Sequence, residues 1–253
     1  MKVLHIHNLH RGRGGSDDVT RAAIDLCRGH GYEIEEMVRD SRDLPDDWRG
    51  RWSAFANGIY SRAAVRELRT RLRAFRPDIV HVHELYPMIS PWVLPVAKAA
   101  GVPVVASVND YRLTCPTAAH FAHGSICTEC LGGREYRCFA RNCRDDRAES
   151  LAYALRNAVA RRFGLFRDNV DCYFVLSEFL GEWLVEHAGV DRSRIAIVPP
   201  VVPIPPDHGA AEEGRYVAYS GRLVPEKGVL TLIEAARLAD VPLRLGTDAG
   251  MCA

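Results

Sequence analysis

The sequence predicts an α/β protein: a Rossmann-like, doubly wound parallel sheet in residues 1–198, followed by an incomplete second Rossmann-like domain in residues 215–253. Short apolar runs alternate with segments whose apolar residues recur every three or four positions, which is the pattern of strands followed by helices. Residues 199–214 contain five prolines and no periodicity. We therefore predict a proline-rich linker between the two domains.

The predicted elements alternate regularly through the first domain. A long helix is predicted from Arg147, with Leu151, Leu155, Val159 and Phe163 as its apolar positions. Residues 41–57 show no clean period and are predicted to be a surface excursion. Strands are predicted at Val3–His7, Tyr32–Val38, Asp78–His83, Pro103–Val108 and Val170–Leu176, and at the run R-I-A-I-V before the linker.

The composition argues against several classes of protein. The chain has 33 Lys and Arg against 32 Asp and Glu, a formal charge of +1, so we expect no nucleic-acid partner. No stretch approaches the roughly 18 continuous apolar residues of a membrane span. The first residues pass directly into a strand-like run and lack the apolar core of a signal peptide. We expect a cytoplasmic protein.

A turn with two cations opens the second domain. An apolar run ends at Arg222, and Lys227 lies five residues further on, just before a helical pattern beginning at Val229. Ligands of open α/β sheets bind outside the carboxyl ends of the strands, and a guanidinium beside a helix N-terminus suits phosphate oxygens. This spacing indicates a diphosphate site. The alternative is two solvated surface cations.

Polar residues also follow strands of the first domain. His83 and Glu84 end the strand after Asp78 and can line the same kind of crevice, although packing is the more common role of such a histidine. Ser177 is predicted to cap a helix, with a position facing the cleft as the alternative. His5 and His7 share one face of the first strand, but two histidines are too few to claim a metal site.

A cysteine-rich insertion is predicted at residues 115–143. The spacing C-x2-C-x7-C-x4-C lets four thiolates surround one tetrahedral zinc ion, and a segment with few large apolar residues needs such a cross-link. Disulfides, free thiols and an iron–sulfur site are the alternatives. The predicted zinc ligands are Cys127, Cys130, Cys138 and Cys143.

A predicted helix near residue 70 has one strongly basic side. Its arginines are interpreted as a solvated face, with a site for anionic lipid or a phosphate-bearing acceptor as the alternative. The second interpretation would place the protein peripherally on the inner face of the membrane. The basic residues are Arg62, Arg66, Arg69, Arg71 and Arg73.

Several of these motifs resemble glycosyltransferase family 4, the retaining enzymes of the GT-B fold. The run G-R-L-V-P-E-K-G-V resembles the signature that opens the family's second domain. The runs D-I-V-H-V-H-E-L-Y-P and D-Y-R-L-T-C-P resemble the middle of its acceptor-binding domain. Sequences that resemble the family in the second of these runs often carry extra cysteines. The resemblance covers nearly the whole chain.

The resemblance implies roles for particular residues. Arg222 and Lys227 would clasp the diphosphate of a nucleotide-sugar donor, and Gly14 and Gly15 would let the backbone approach the donor's phosphate and sugar. Catalytic positions would be Asn109 and Asp110. The family commonly has histidine where this chain has Asn109, and asparagine cannot carry a proton as imidazole does.

The function implied by this resemblance is sugar transfer, with retention, from a nucleotide-diphosphate sugar to a hydroxyl of a saccharide or lipid-linked saccharide. The setting would be cell-surface polysaccharide or glycolipid synthesis. Residues 215–253 are far fewer than the roughly 100 of a Rossmann-like domain, so we expect a truncated donor domain. The second hypothesis is a catalytically inactive fragment, or a binding subunit whose partner chain completes the donor domain.

Overall fold

The protein is described by a computed structural model that covers residues 1–12, 15–200, 214–247 and 250–252. The chain divides into two compact units. The first unit contains residues 1–120 and 127–200, and the second contains residues 121–126 and the described residues from 214 onwards. Gly14 and most of the predicted linker lie outside the described residues.

The elements follow one another in the order that the sequence predicts for an α/β chain. Strands and helices are, in chain order, β1 Lys2–Leu9, α1 Gly15–Gly29, β2 Glu33–Asp40, α2 Trp48–Ile59, α3 Arg62–Ala74, β3 Ile79–Val82, α4 Val93–Ala99, β4 Val104–Val108, β5 Phe121–Ala122, β6 Ser125–Ile126, α5 Tyr136–Ala140, α6 Arg147–Arg162, β7 Cys172–Val175, α7 Glu178–Ala188, β8 Ile195–Ile197, β9 Val217–Ser220, α8 Val229–Leu238, β10 Leu243–Thr247 and β11 Gly250–Cys252.

The first unit is built on a six-stranded sheet in the order β2-β1-β3-β4-β7-β8. All five neighbouring pairs are parallel. The chain starts at β1, adds β2 on one side and then returns to add β3 on the other side, which is the doubly wound arrangement. This sheet confirms the predicted fold class.

One face of this sheet forms the apolar core. Leu4 and Ile6 of β1 have no exposed surface, and Val80 and Val82 of β3 are 1% exposed. The helices α3 and α4 cover this face with buried side chains that include Leu68. Burying a side chain of this size stabilises the fold by about 1.5–3 kcal/mol. The core therefore holds β1 and β3 rigidly in the middle of the sheet.

The opposite face of β1 and β3 carries histidines. Side chains alternate along a strand, so the residues between the core positions of these strands point away from the core. His5 and His81 are partners in the parallel register, and His7 and His83 lie two residues further along. All four are at most 9% exposed. Buried imidazoles thus lead up to the carboxyl edge of the sheet.

Residues 41–57 lie mostly at the surface, as predicted, and they include most of α2, which begins at Trp48. Asp47 caps the helix, and its carboxylate accepts hydrogen bonds from the backbone N–H groups of Arg49 (2.9 Å) and Gly50 (3.0 Å). Trp48 and Trp52 remain 71% and 63% exposed. Because the largest apolar residues of α2 face solvent, its sequence lacks the apolar periodicity by which a helix is predicted.

The predicted start of α6 is correct, but its apolar stripe does not face the interior. Leu151, Leu155 and Phe163 are 41%, 40% and 59% exposed. The buried side of α6 consists of smaller or polar residues: Ser150, Ala154, Asn157 and Ala160. Small side chains let α5 approach α6 closely, and Asn157 turns towards the loop after β4. Packing partners, and not the leucine spacing, decided which side is buried.

The basic side of α3 is partly neutralised. Arg71 forms ion pairs with Glu35 of β2 and Glu67 of its own helix. The other arginines of this side, Arg62, Arg66, Arg69 and Arg73, are exposed.

Among the described residues, none of the helices combines the length and apolar character that crossing a membrane requires.

The second unit contains a three-stranded sheet in the order β11-β10-β9. The pair β9 and β10 is parallel, and β11 is antiparallel to β10. The helix α8 follows β9, as the turn pattern predicts. Its residues Val229 and Ala236 are buried, whereas Ile233 is 41% exposed.

Candidate functional site

The carboxyl edge of the six-stranded sheet gathers the polar residues singled out in the first unit. The parallel strands β1, β3, β4 and β7 all end at this edge. Their following loops carry His10 after β1, Glu84 after β3, Asp110 after β4 and Ser177 after β7. Segments far apart in sequence therefore place functional groups along one rim.

Asp110 is bound by Arg112 in a forked ion pair. The Arg112 Nε lies 2.9 Å from Oδ1 and 3.1 Å from Oδ2, the Nη2 also donates to Oδ2, and the Arg112 backbone N–H donates to Oδ1 at 2.9 Å. Burial alone would raise the pKa of Asp110, but the Arg112 guanidinium outweighs it and lowers this pKa. Asp110 is therefore an anion whose oxygens are already occupied.

Glu84 joins Arg112 to the loop after β1. Its Oε1 lies 2.5 Å from Nη1 of Arg112, and its Oε2 lies 2.9 Å from Nε2 of His10. The hydrogen bond with Glu84, opposed by partial burial, raises the pKa of His10 above its usual value. Glu84 thus lies between Arg112 and His10, and the raised pKa of His10 favours the charged imidazolium. The rim carries a continuous charged network of Asp110, Arg112, Glu84 and His10.

His83 lies behind this network, in the histidine cluster formed by His5, His81 and His83. Its Nε2 is 3.0 Å from Nδ1 of His5, and His81 Nε2 is 2.9 Å from the Ser107 Oγ. Burial lowers the pKa of His5 to about 4 and that of His81 to about 3, and it lowers the pKa of His83 as well. The three imidazoles are therefore neutral at ordinary pH.

The histidine cluster also has a geometry that could hold a metal ion. One ligand atom from each of the three residues lies within 4.8 Å of the others. Among the described residues, this is the group of histidine, cysteine or acidic side chains with that spacing. Three neutral imidazoles can bind zinc, but here His5 and His83 are bonded to each other and His81 is bonded to Ser107. Their hydrogen bonds and their place in the sheet favour packing. The other rim histidine, His7, is held by Asp17 at 3.1 Å.

The remaining predicted residues of the first unit are placed as follows. Asn109 is half-buried at the end of β4, and its side chain makes no hydrogen bond to another described residue. Ser177 caps α7, because its Oγ accepts from the Leu180 N–H at 3.3 Å. Gly15 is the first residue of α1, and a Cβ at this position would meet nothing within 4 Å.

A cavity of about 70 Å³ lies beneath the charged network. Tyr86, Arg112, Asn157 and Tyr173 are among its lining residues. The Tyr173 hydroxyl and the Asn157 Oδ1 are buried and have no hydrogen-bond partner. A cavity of this size can hold buried water beside these two atoms.

Three of the four predicted zinc ligands lie in one cluster of the first unit. Cys130 and Cys138 are buried against Ala154 of α6, and Cys143 packs against them. Cys127 is half-buried, and all four are free thiols. Burial and the neighbouring thiols raise the pKa of Cys130 to about 12. Cys115 is a fifth thiol in this group.

In the second unit, Arg222 follows β9 directly, as predicted. Its side chain is 61% exposed, and its Nη2 lies 3.6 Å from Oε1 of Glu226. The Tyr219 hydroxyl donates to the Arg222 carbonyl at 2.8 Å and braces the turn. Lys227 is exposed and ends a short 3-10 turn. Gly228, at φ 67°, then begins α8 without a side-chain cap. The first N–H groups of α8 thus have no side-chain acceptor.

The sequence interpretation missed two members of the network. Arg112 lay within the quoted D-Y-R-L motif, but no role was assigned to it. A usable signal existed, because the spacing Asp-x-Arg also occurs at Asp40 and Arg42, where it produces the same fork. No role is predicted for His10 from the sequence. Its partner Glu84 is 74 residues away, so nothing local in the sequence indicates the pair.

The fold of the chain is similar to that of solved glycosyltransferases with the GT-B fold. The catalytic domain of starch synthase IV from Arabidopsis thaliana, bound to ADP and acarbose, is 13% identical with a TM-score of 0.53, over 97% of this chain and 68% of that one. Anabaena Alr3699/HepE in complex with UDP is 14% identical with a TM-score of 0.47, over 98% of this chain and 61% of that one.

The sequence shows the family. Residues 14–204, more than half of the chain, match the profile of Glycosyltransferase Family 4. The protein belongs to glycosyltransferase family 4. No curated protein matches the chain. The chain spans 61% and 64% of the length of the first two solved structures it resembles, HepE and UGT89C1 of Arabidopsis thaliana with UDP-L-rhamnose.

Proposed function

We propose that this protein is a retaining glycosyltransferase that moves a sugar from a nucleotide-diphosphate sugar to a hydroxyl acceptor. The acceptor class we propose is a saccharide or lipid-linked saccharide of cell-surface polysaccharide or glycolipid synthesis. Solved structures of the same fold contain UDP, UDP-L-rhamnose or ADP, and these ligands support a nucleotide-sugar donor for this chain. Retention is carried over from the family.

The observation that carries this proposal is the turn between β9 and α8. Arg222 stands at the carboxyl end of a parallel strand, Lys227 lies five residues on, and α8 begins with N–H groups that no side chain caps. A guanidinium, an ammonium and a helix N-terminus are three groups that favour phosphate oxygens. Together they would neutralise a nucleoside diphosphate as it leaves the sugar.

The rim of the first unit would serve the acceptor side. Asn109 has an uncommitted side chain that can hydrogen-bond a sugar hydroxyl, but it cannot accept and release a proton as imidazole can. Asp110 is held as an anion by Arg112, so it would position the loop after β4 and not act as an acid. Gly14 and Gly15 remain proposed for the donor's phosphate and sugar.

Contact with a membrane surface forms part of the same proposal. The exposed arginines of α3 would attract an anionic headgroup or the phosphate of a lipid-linked acceptor. Arg71 takes no part, since Glu35 and Glu67 already bind it. The location that fits this proposal is the cytoplasmic face of the membrane.

The test is equilibrium binding of UDP, ADP and GDP to the whole chain by calorimetry, followed by transfer and hydrolysis assays with a panel of nucleotide sugars. A charge-assisted hydrogen bond contributes about 1.5–3 kcal/mol, so Arg222→Ala should weaken diphosphate binding roughly 10- to 150-fold. Lys227→Ala should weaken it too. Arg237→Ala is the matched control, because Arg237 is an equally exposed arginine paired with Glu234 on α8. Unchanged affinity in Arg222→Ala would sink the assignment.

A second candidate is a binding subunit without transfer activity, which a partner chain completes. Asn109 favours it, because the family commonly has a proton-carrying histidine at this position. The same assays separate the two candidates. A binding subunit would bind a diphosphate through Arg222, yet neither transfer nor hydrolyse any sugar unless the partner is added.

A further inference from the structure

The segment from Cys115 to Cys143 has little apolar surface to hold it in place. It forms turns, the short strands β5 and β6, and the five-residue helix α5. Its larger apolar side chains face solvent, with Ile126 84% and Tyr136 59% exposed. Ordering a segment of this length costs conformational entropy that a few small buried side chains do not offset. Something other than hydrophobic burial must fix its shape.

The buried cluster of this segment consists mainly of cysteine side chains. The buried cluster consists of Cys130 and Cys138 with Ala154, and Cys143 packs against it. The side chains of Cys138 and Cys143 are hydrogen-bonded to each other. Cys127 lies close enough to interact electrostatically with Cys130 and Cys143. The sulfurs of Cys130, Cys138 and Cys143 thus belong to one cluster, with Cys127 and Cys115 near it.

The backbone around these thiols is held by local hydrogen bonds. The Cys127 N–H donates to the His120 carbonyl at 2.8 Å, and the Cys143 N–H donates to the Cys138 carbonyl at 3.1 Å. The carbonyl of Cys130 accepts from the Arg134 N–H at 3.1 Å and closes a turn after the C-x2-C pair. These bonds order the backbone next to Cys127, Cys130 and Cys143.

We propose that Cys127, Cys130, Cys138 and Cys143 bind one structural zinc ion that ties this segment to α6. Four thiolates satisfy the tetrahedral preference of zinc and close its coordination shell, so the ion would have a structural and not a catalytic role. Each thiol would release its proton on binding. The sulfurs are gathered but stand wider apart than in a closed site, and binding would draw them to about 2.3 Å from the ion.

Cys115 is a further thiol near Cys130, Cys138 and Cys143, and its Sγ lies 3.3 Å from the Thr117 Oγ1. It is left out of the proposed set because the C-x2-C-x7-C-x4-C spacing supplies four ligands without it. Disulfides are the main alternative pairing of these sulfurs, yet the cysteines of this segment are free thiols. The spacing C-x2-C-x7-C-x4-C brings two sulfurs from each half to one ion.

The zinc ion would also brace the candidate site. Asn157 of α6 donates from Nδ2 to the Arg112 carbonyl at 2.6 Å, so α6 holds the residue that binds Asp110 and Glu84. The cysteine segment is anchored to the same helix by the ion pair of Glu135 with Arg161 and by Cys138 against Ala154. Loss of zinc should therefore loosen the loop after β4 as well as the cysteine segment.

The test is the metal content and thiol count of the whole purified chain, which needs no variant. We expect one zinc per chain by elemental mass spectrometry. Chelation under denaturing conditions should release this zinc and make all four thiols available to a thiol reagent. A metal-free chain with disulfides, or a metal-free folded chain with free thiols, would overturn the proposal.

Variants then locate the ion. Cys130→Ser and Cys138→Ser should reduce the zinc content from one to near zero per chain. Cys27→Ser and Cys172→Ser, which change half-buried free thiols elsewhere, should retain one zinc, as should Cys115→Ser. If the Cys130→Ser and Cys138→Ser chains keep their zinc and His81→Gln loses it, the histidine cluster is the metal site and the proposal is wrong.

Discussion

Asp110 and Arg112, two positions apart in the sequence, form a forked ion pair, and the same fork occurs at Asp40 and Arg42. In both, the arginine Nε lies 2.9 Å from one carboxylate oxygen and the arginine N–H donates to the same oxygen. Only the surroundings differ. The Arg112 side chain is 17% exposed, whereas that of Arg42 is 67% exposed. The same local motif is therefore found once in a largely buried environment and once in a solvent-exposed one.

Removing Arg112 should be far more costly than removing Arg42. Arg112→Met leaves Asp110 and Glu84 without their cation at a largely buried place, which should lower the free energy of unfolding by about 3–5 kcal/mol. Arg42→Met removes a solvent-exposed pair, so its effect on the free energy of unfolding should be much smaller. Urea unfolding followed by circular dichroism measures both. Equal losses in the two variants would show that burial of the Arg112 network is unimportant.

The pair of His10 and Glu84 should give the protein a titration above the ordinary histidine range. The hydrogen bond to Glu84 raises the pKa of His10, so this contribution to stability is complete below about pH 6.5 and is lost as the pH rises through the folded-state pKa. NMR titration of the His10 ring should show the raised pKa. Glu84→Gln should lower it, and Glu182→Gln, a distant exposed change, should leave it in place.

The histidine cluster should make the protein sensitive to mild acid. The folded chain keeps His5 and His81 neutral, whereas the unfolded chain takes up protons below about pH 6.5, so stability should fall as the pH falls from 6.5 towards 4. For His5 alone the loss is on the order of 3 kcal/mol. Urea unfolding at pH 7.5, 6 and 5 measures this slope. His81→Gln should reduce the slope and His30→Gln should not; a flat profile contradicts the prediction.

Ser177 should matter for stability and not for chemistry. Its Oγ caps α7, so Ser177→Ala should lower the melting temperature by an amount equivalent to about 1 kcal/mol. Ser177→Asp, which restores a capping oxygen, should recover most of the loss. Diphosphate affinity should be the same in all three chains. A drop in affinity with full stability would instead assign Ser177 to the cleft.

The fold was predictable because its signals are local. The apolar runs of β1 and β3 and the glycine before α8 are readable in short windows, and the chain forms the predicted elements there. The turn at Arg222 and the cap at Ser177 were readable for the same reason. The leucine stripe of α6 misled the prediction, since the helix buries Ala154 and Asn157 instead. Periodicity shows that a helix has sides, but not which side meets a neighbour.

The sequence by itself determined the α/β order, the family and the two cations of the turn after β9, because each depends on residues a few positions apart. Tertiary structure decided the rest. It joined Glu84 to His10 and Arg112, placed His5 beside His83, and gathered Cys130 and Cys138 against α6. These contacts form where parallel strands end together, and their energies depend on burial, which no single stretch of sequence contains.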